Sequence, residues 1–411
     1  MRTAVGAPAP PPAPDAGSRI RVVVRDQPSF VRVLDELVRQ GAPLEPVVVT
    51  LDELYRDYVR GNEPWDIMLA LSDWVPEMVQ RGVLAPFSRS GLEIRGQYPD
   101  YHSALLDPLI LLQPKGAPDE GRLRLMGLPF HVGPEVFHYR RDLFENPAEQ
   151  ATFRARFGRD LHPPVTWSQF VEVATHFARD GLWGCCFGAF PDGHNDVYDF
   201  LIHLWSRGGD LSDVASTAGI DALSFYHDLV HVHKVAPPEC LKLNSVESGG
   251  YYAEGKVAMM WNWAGFATVA EQSALKGKNA VSVIPRGDNP EGRHASINAF
   301  WVWVVHIPYR TPKKRLREAL DLLTSLEVDI LSAHSGNCPA HQSVWQILEP
   351  DFPYFSVLSQ AYDGARPVPS HPNWGEACHL LSKSIARVMQ DREDPAHVLG
   401  EIASTIRDLL A

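Results

Sequence analysis

Short apolar runs alternate with amphipathic stretches along the first part of the chain. Ile20-Arg21-Val22-Val23-Val24 reads as a strand, and the spacing behind it predicts a helix over Ser29 to Gln40. Pro46 to Thr50 predicts a second strand and Asp52 to Arg60 a second helix. Trp65 to Ala70 predicts a third strand, which empties into Ser72-Asp73-Trp74 before a helix to Arg81. Strands alternating with helices predict a parallel α/β sheet, in which ligands collect beyond the carboxyl ends of the strands. Asp26, Ser72, Asp73 and Trp74 stand at such ends. Asp73 fits a helix N-cap as well as a ligand group, and the pattern leaves both open.

A second α/β block follows. Glu135 to Tyr139 predicts a strand, and Thr166 caps a helix running to about Arg179 behind the stiff Pro163-Pro164. Trp183 to Phe190 predicts a Gly-rich strand; the loop Pro191 to Asp196 then leads into a helix, Val197 to Ser206, that stops at Gly208-Gly209. Val281 to Pro285 and Asn298 to His306 are late strands. From Thr311 the pattern is mostly helical, over Pro312 to Ala333, Asn373 to Gln390 and Pro395 to Leu410.

Two stretches carry unusual aromatic chemistry. In Tyr251 to Phe266 a polar Glu254-Gly255-Lys256 turn runs into the strand Val257 to Met260, which ends in Trp261-Asn262-Trp263. Core strands favour branched aliphatics, whereas an indole brings an N–H that needs a partner when buried. Two indole faces beside an amide suit a ring that is apolar on its faces and hydroxylated at its edge, as a sugar is. The alternative for either indole is packing between layers. The second stretch is Arg366 to Asn373, too Pro-rich for regular structure, which delivers Trp374 to the first turn of a helix. Its core-spaced positions are Ala377, Leu380, Leu381, Ile385 and Val388, so the Trp374 ring is free to project past the helix end as a stacking face. The alternative is that it seals this helix against its own lobe.

The chain has 411 residues, more than one core usually supports, so two domains are expected. A formal net charge of −12 without a basic face argues against nucleic acid; the cluster from Arg310 to Arg317 is the solvated face of a helix. The five cysteines, Cys185, Cys186, Cys240, Cys338 and Cys378, fit neither a disulfide framework nor a zinc site. Adjacent Cys185 and Cys186 lie in an apolar strand that keeps a thiol protonated. His231-Val232-His233 falls in a helical pattern, where positions i and i+2 face apart. HExxH, P-loop, GxSxG and GxGxxG signatures are missing from the strand-to-helix junctions. The first 18 residues are Ala/Pro-rich, without the apolar segment of a secretory signal or a cysteine for lipid attachment. Either an export signal is missing from this chain, or the protein stays inside.

The order of several short motifs resembles the carbohydrate-binding, maltodextrin-binding-like group of extracellular solute-binding proteins of ABC transporters. Trp65-Asp66-Ile67 to Asp73 continues to Gly82-Val83-Leu84-Ala85-Pro86-Phe87, and Leu128-Pro129-Phe130 leads to Phe137-His138-Tyr139-Arg140-Arg141-Asp142-Leu143-Phe144. Pro163-Pro164-Val165-Thr166-Trp167, Gly208-Gly209, Gly255-Lys256-Val257-Ala258-Met259 and Gly336 to Pro339 follow in the same order, so the likeness spans roughly residues 20–410. It implies an α/β, two-lobed periplasmic-binding-protein-like fold (type II) with the ligand in the cleft between lobes. The expected division is a lead-in at 1–18, lobe one from 19–129 and 268–312, and lobe two from 130–267 and 313–411.

By resemblance, Asp73, Asp196, Tyr198, Trp261, Asn262 and Trp374 are expected to touch ligand. Trp74 is expected to substitute for a stacking aromatic that is Ala70 here. Loop position adds His131, Asp192 and Arg366; the patterns above add Asp26 and Trp263. The implied function is binding of a sugar or other small polar ligand, without catalysis or cofactor, by a monomer that hands it to permease subunits outside the cytoplasm. Two other readings stay open: an enzyme on the same scaffold using a cleft Cys or acid pair, and a cytosolic sugar sensor.

Overall fold

The computed structural model describes residues 19–87, 94–117, 120–179 and 181–411; the Ala/Pro-rich lead-in lies outside them. Two sheets organise the chain. The first contains β1 (Ile20–Arg25), β2 (Leu44–Val49), β3 (Ile67–Leu71), β4 (Leu128–His131) and the late strand Trp301–Val305, in the order β2-β1-β3-Trp301–Val305-β4. Strands β1 to β3 are mutually parallel, and the late strand runs antiparallel to both of its neighbours. The second sheet contains β5 (Glu135–Arg140), β6 (Trp183–Cys186), β7 (Val257–Trp263) and β8 (Asn279–Ser282), in the order β8-β5-β7-β6. The late strand of the first sheet, Trp301–Val305, is β9.

Helices cover both sheets. Those used below are α1 (Pro28–Arg39), α2 (Trp167–Phe177), α3 (Asn195–Ser206), α4 (Thr217–His231), α5 (Ser245–Ala253) and α6 (Trp374–Met389). Thr166 caps α2 by accepting the Gln169 N–H, as its place before an apolar-periodic run predicts. β3 is buried at every position, which a parallel strand covered on both faces requires.

Each sheet has its own core, and the cores redraw the expected lobe boundaries. The first gathers residues from Ile20 to Val136, then Ala264 and Ala267, and again from Phe300 to Tyr362. The second gathers Phe137 to Trp261, Ala270 to Ala299 and Val368 to Ile406. The segment 268–312 therefore divides between lobes near residue 299, because β8 pairs with β5 while β9 pairs with β3 and β4. The segment 313–411 divides too. Leu316, Leu323, Val328, Trp345 and Leu358 bury their apolar faces in the first core, whereas α6 buries its face in the second.

Two predicted elements are shorter than their sequence patterns. The helix expected from Pro312 to Ala333 is two helices, Lys313–Leu323 and Leu326–His334, because the Ser325 side chain accepts the Val328 N–H and restarts the helix. The strand expected over Trp183 to Phe190 ends at Cys186. Phe187 then lies flat on Trp261, ring centroids 5.1 Å apart and planes within 12°, and a Cβ on Gly188 would sit 2.7 Å from the Asn244 backbone.

Candidate functional site

A cavity of about 340 Å³ remains where the two cores face one another. The first lobe reaches it with the carboxyl ends of its parallel strands. Arg25 ends β1, Leu71 ends β3, and Gln27, Pro28 and Ser29 start α1. His131, the last residue of β4, pairs with Trp301, the first of β9, and both line the same wall. The second lobe contributes His194, Asn195 and Tyr198 from the start of α3, Ser245 and Val246 from the start of α5, Trp263 from the end of β7, and Phe266.

Trp263 is the aromatic wall on the second-lobe side. Its Nε1 donates to Asn195 Oδ1 at 3.1 Å, and its ring meets Tyr198 edge-on at 5.9 Å. Trp301 is its counterpart, packed edge-on against Phe30 at 5.1 Å and with the Arg25 guanidinium 5.8 Å from its ring centroid. His131 Nδ1 accepts the Cys338 N–H at 2.9 Å, which places the ring proton on Nε2. Burial pulls the ring down to about 4, so it stays neutral and offers a single donor.

Of the sequence-predicted residues, His131, Tyr198 and Trp263 line the cavity together. The others are displaced from it. Trp261 is 1% exposed and sits in a cage of Trp167, Phe170, Phe187 and His203, one strand step deeper than Trp263. Asn262 points to the opposite face of β7, where its Nδ2 donates to Ser245 O at 2.9 Å and Ser248 Oγ at 3.2 Å. Trp374 does not project past its helix end: it is 1% exposed and its Nε1 donates to Asp73 Oδ2 at 3.1 Å. Asp73 is itself buried and takes the Tyr198 hydroxyl on the same oxygen at 2.8 Å.

Asp73 thus joins the lobes: the carboxylate comes from the first, and both donors come from the second. The helix start beside it is close as well, since a Cβ on Gly375 would lie 2.4 Å from Tyr55 Oη. Trp74 is buried behind Trp301, edge-on at 6.3 Å, and supports that ring rather than facing the cavity.

Asp192 spends its oxygens on the His194 and Asn195 N–H groups, both at 2.8 Å, and on Asn195 Nδ2 at 2.9 Å. Asp196 is fully buried and accepts from Ser382 Oγ; burial, then the neighbouring Asp192, push its carboxyl up. Asp26 is half exposed and 3.9 Å from Arg25 Nε, one residue beyond the side chain that lines the cavity. Arg366 lies elsewhere, over the Trp205 ring at 4.7 Å and paired with Asp210 at 2.9 Å.

Sequence reasoning missed Arg25, Gln27, Ser29, His194, Asn195 and Trp301. Trp301 had a visible signal, the pattern Trp301-Val302-Trp303 opening a strand, which mirrors Trp261-Asn262-Trp263 closing one. Arg25 had a weaker one, a charge at the end of the first parallel strand.

Burial pushes the Cys185 and Cys186 thiols up, so neither is poised as a nucleophile. His231 hydrogen-bonds through Nε2 to Met389 O at 2.7 Å, docking α4 on α6. Among the described residues, no helix is long and apolar enough to cross a membrane.

The fold is similar to that of several solved solute-binding proteins. A maltose-bound T. maritima MalE3 superposes with a TM-score of 0.79 at 22% identity, over 95% of this chain and 100% of that one. A solute-binding protein of an ABC transporter from Agrobacterium radiobacter, in complex with ribitol, gives 0.77 at 19%, over 96% and 99%. A maltotriose-bound Thermus thermophilus maltotriose-binding protein gives 0.73 at 18%, over 96% and 100%. At these identities the likeness establishes the two-lobed fold. The family follows from the sequence match over residues 47–329, more than half of the chain: this protein belongs to the bacterial extracellular solute-binding proteins.

Proposed function

We propose that this chain is the substrate-binding component of an ABC importer and holds a small sugar or polyol in the cleft between its lobes, without turnover. The observation that carries the reading is the pair of indoles, Trp263 and Trp301, set on opposite lobes around one cavity whose mostly apolar wall also carries the polar side chains of Arg25, Gln27 and His131. Indole faces cover the apolar side of a sugar ring, each worth ~0.5–1.5 kcal/mol beyond area burial. The volume is near the lower end of the ~300–1,000 Å³ range of small-molecule sites, which suits one or two sugar rings better than a long oligosaccharide. Similar folds hold maltose, maltotriose and ribitol, which agrees with such a ligand.

The enzyme alternative finds little support in the cleft. No cysteine, aspartate or glutamate stands among the described residues lining it. Handing over the ligand requires the lobes to part, and the Asp73 contacts are among the interlobe bonds that must break. Delivery to permease subunits places the working protein outside the cytoplasm.

A melting-temperature screen over monosaccharides, disaccharides and polyols tests the reading. A rise with at least one neutral or acidic member at up to millimolar concentration is expected. No shift with any of them overturns it, and conversion of a bound sugar to product would favour an enzyme.

A further inference from the structure

We infer that the ligand carries a negative charge, so that the preferred solute is a sugar acid or another anionic carbohydrate, with Arg25 as the residue that selects it. This rests on the proposed sugar-binding role and narrows it.

The argument is a count of donors and acceptors around the cavity. Neutral sugars present hydroxyls that donate as readily as they accept, and charged acceptors are what grip them most strongly. Here the acids expected to do so are turned away. Asp73 takes Tyr198 and Trp374 on one oxygen, Asp196 takes Ser382 on one of its own, Asp192 is engaged by the start of α3, and none of the three lines the cavity. Facing the cavity instead are two guanidinium groups, Arg25 and Arg32, and the neutral His131 with its Nε2 proton.

Arg25 is the least satisfied of these. Its Nε is buried without a hydrogen-bond partner, and its side chain is only 19% exposed. Arg32 already donates to Ser335 O. Asp26 forms only a loose, partly exposed ion pair with it: at 3.9 Å from Nε it is beyond hydrogen-bond range, and its own side chain is 52% exposed to screening water. Asp192 contributes a field but no bond, because its oxygens are taken by backbone and amide donors of α3.

One helix start adds to the same sign. α1 opens at the cavity with no side chain capping its first turn, whereas the start of α3 is already met by Asp192. The dipole of α1 favours an anion there. A carboxylate on a ring stacked against Trp301 would lie within reach of Arg25, whose planar fork can bind it through two parallel bonds.

The test is calorimetric titration of the full chain with pairs that differ at C6 by an anionic group: glucose and glucuronate, galactose and galacturonate, and glucose with glucose 6-phosphate. At least one acid should bind about tenfold or more tightly than its neutral partner. That preference should weaken as salt is raised and shrink to near unity in Arg25→Gln. Arg25→Lys should retain part of it, and the melting temperature of each ligand-free variant shows whether a loss reflects folding. A phosphate-only preference would still support the inference and identify the anion. Neutral sugars binding as tightly as their acids would overturn it and leave the sugar reading standing. No binding by either member of any pair would overturn it, and the screen over disaccharides and polyols would then decide the sugar reading separately. An acid preference unchanged in a folded Arg25→Gln would overturn the assignment to Arg25.

Discussion

Each lobe carries a Trp-x-Trp at the cleft end of a central strand, and the two are built with opposite polarity. In the second lobe the strand β7 runs toward the cleft, so Trp263 is the cavity residue and Trp261 the core residue. In the first lobe β9 runs away from the cleft, so Trp301 faces the cavity and Trp303 is buried against Phe130 at 4.9 Å. Residues two apart share one face of a strand and lie roughly 7 Å from each other along it. That single step separates a ring that can meet a ligand from one wholly enclosed by side chains. An indole at a strand end is therefore no evidence of a ligand site until the end of the sheet is located.

The sharpest way to break this comparison is to truncate the inner indoles. Trp261→Ala and Trp303→Ala should each destabilise the fold by ~3–5 kcal/mol in denaturant titration, since each empties a close-packed site. A variant that loses ligand affinity while keeping its stability would place that indole at the ligand after all. Next in size is the link between lobes. Asp73→Ala strands the Tyr198 hydroxyl and the Trp374 N–H, at ~1–3 kcal/mol for each donor left unpaired, and should enlarge the radius of gyration in solution scattering. Unchanged melting and an unchanged radius would show that these bonds do not hold the lobes together.

The outer indoles should behave differently. Trp263→Ala is expected to weaken ligand binding by ~1–3 kcal/mol with little loss of stability, because the ring is only partly buried. Trp301, 7% exposed, should lose both stability and binding. Equal stability losses at Trp261 and Trp263 would erase the distinction.

The smallest effect is on pH dependence. Burial pulls His131 in the first lobe and His138 in the second down to about 4, below the ordinary value of 6.5. Only the unfolded chain takes up protons between those values, so each ring lowers stability as pH falls from 6.5 to about 4. The slope is at most ~1.4 kcal/mol per pH unit for each. Glu135 and Asp199, a buried pair confined to the second lobe, act in the opposite sense. Burial raises both carboxyls, so they bind protons in the fold that the unfolded chain releases, and stability falls as pH rises. For Glu135 the loss runs from pH 4.5 to about 8, so Glu135→Gln should flatten the profile between 6.5 and 8, where the two histidine rings no longer add slope. A profile that stays sloped there would assign the loss to other groups.

The alternation of apolar runs and amphipathic stretches determined the α/β class, most element positions and the Thr166 cap, because these depend on neighbours three or four residues away. The ordered motifs were enough to indicate the two-lobed architecture. The lobe boundaries after residue 267 were not legible, since an amphipathic helix shows that it buries a face but not against which sheet. The site was legible in part. Loop position suggested His131 and the family resemblance Tyr198, and both line the cavity, whereas Trp263 was separable from Trp261 only once β5 and α3 were seen to close around the inner ring. Asp73 and Trp374 are 301 positions apart and bond to each other, so each was read alone as a ligand group. Sequence determined which residues carry hydrogen-bonding and stacking chemistry; tertiary structure decided which of them satisfy one another and which remain for a ligand. The reason is physical: a polar group removed from water takes whatever partner packing brings within about 3 Å, and that choice is made by long-range contacts.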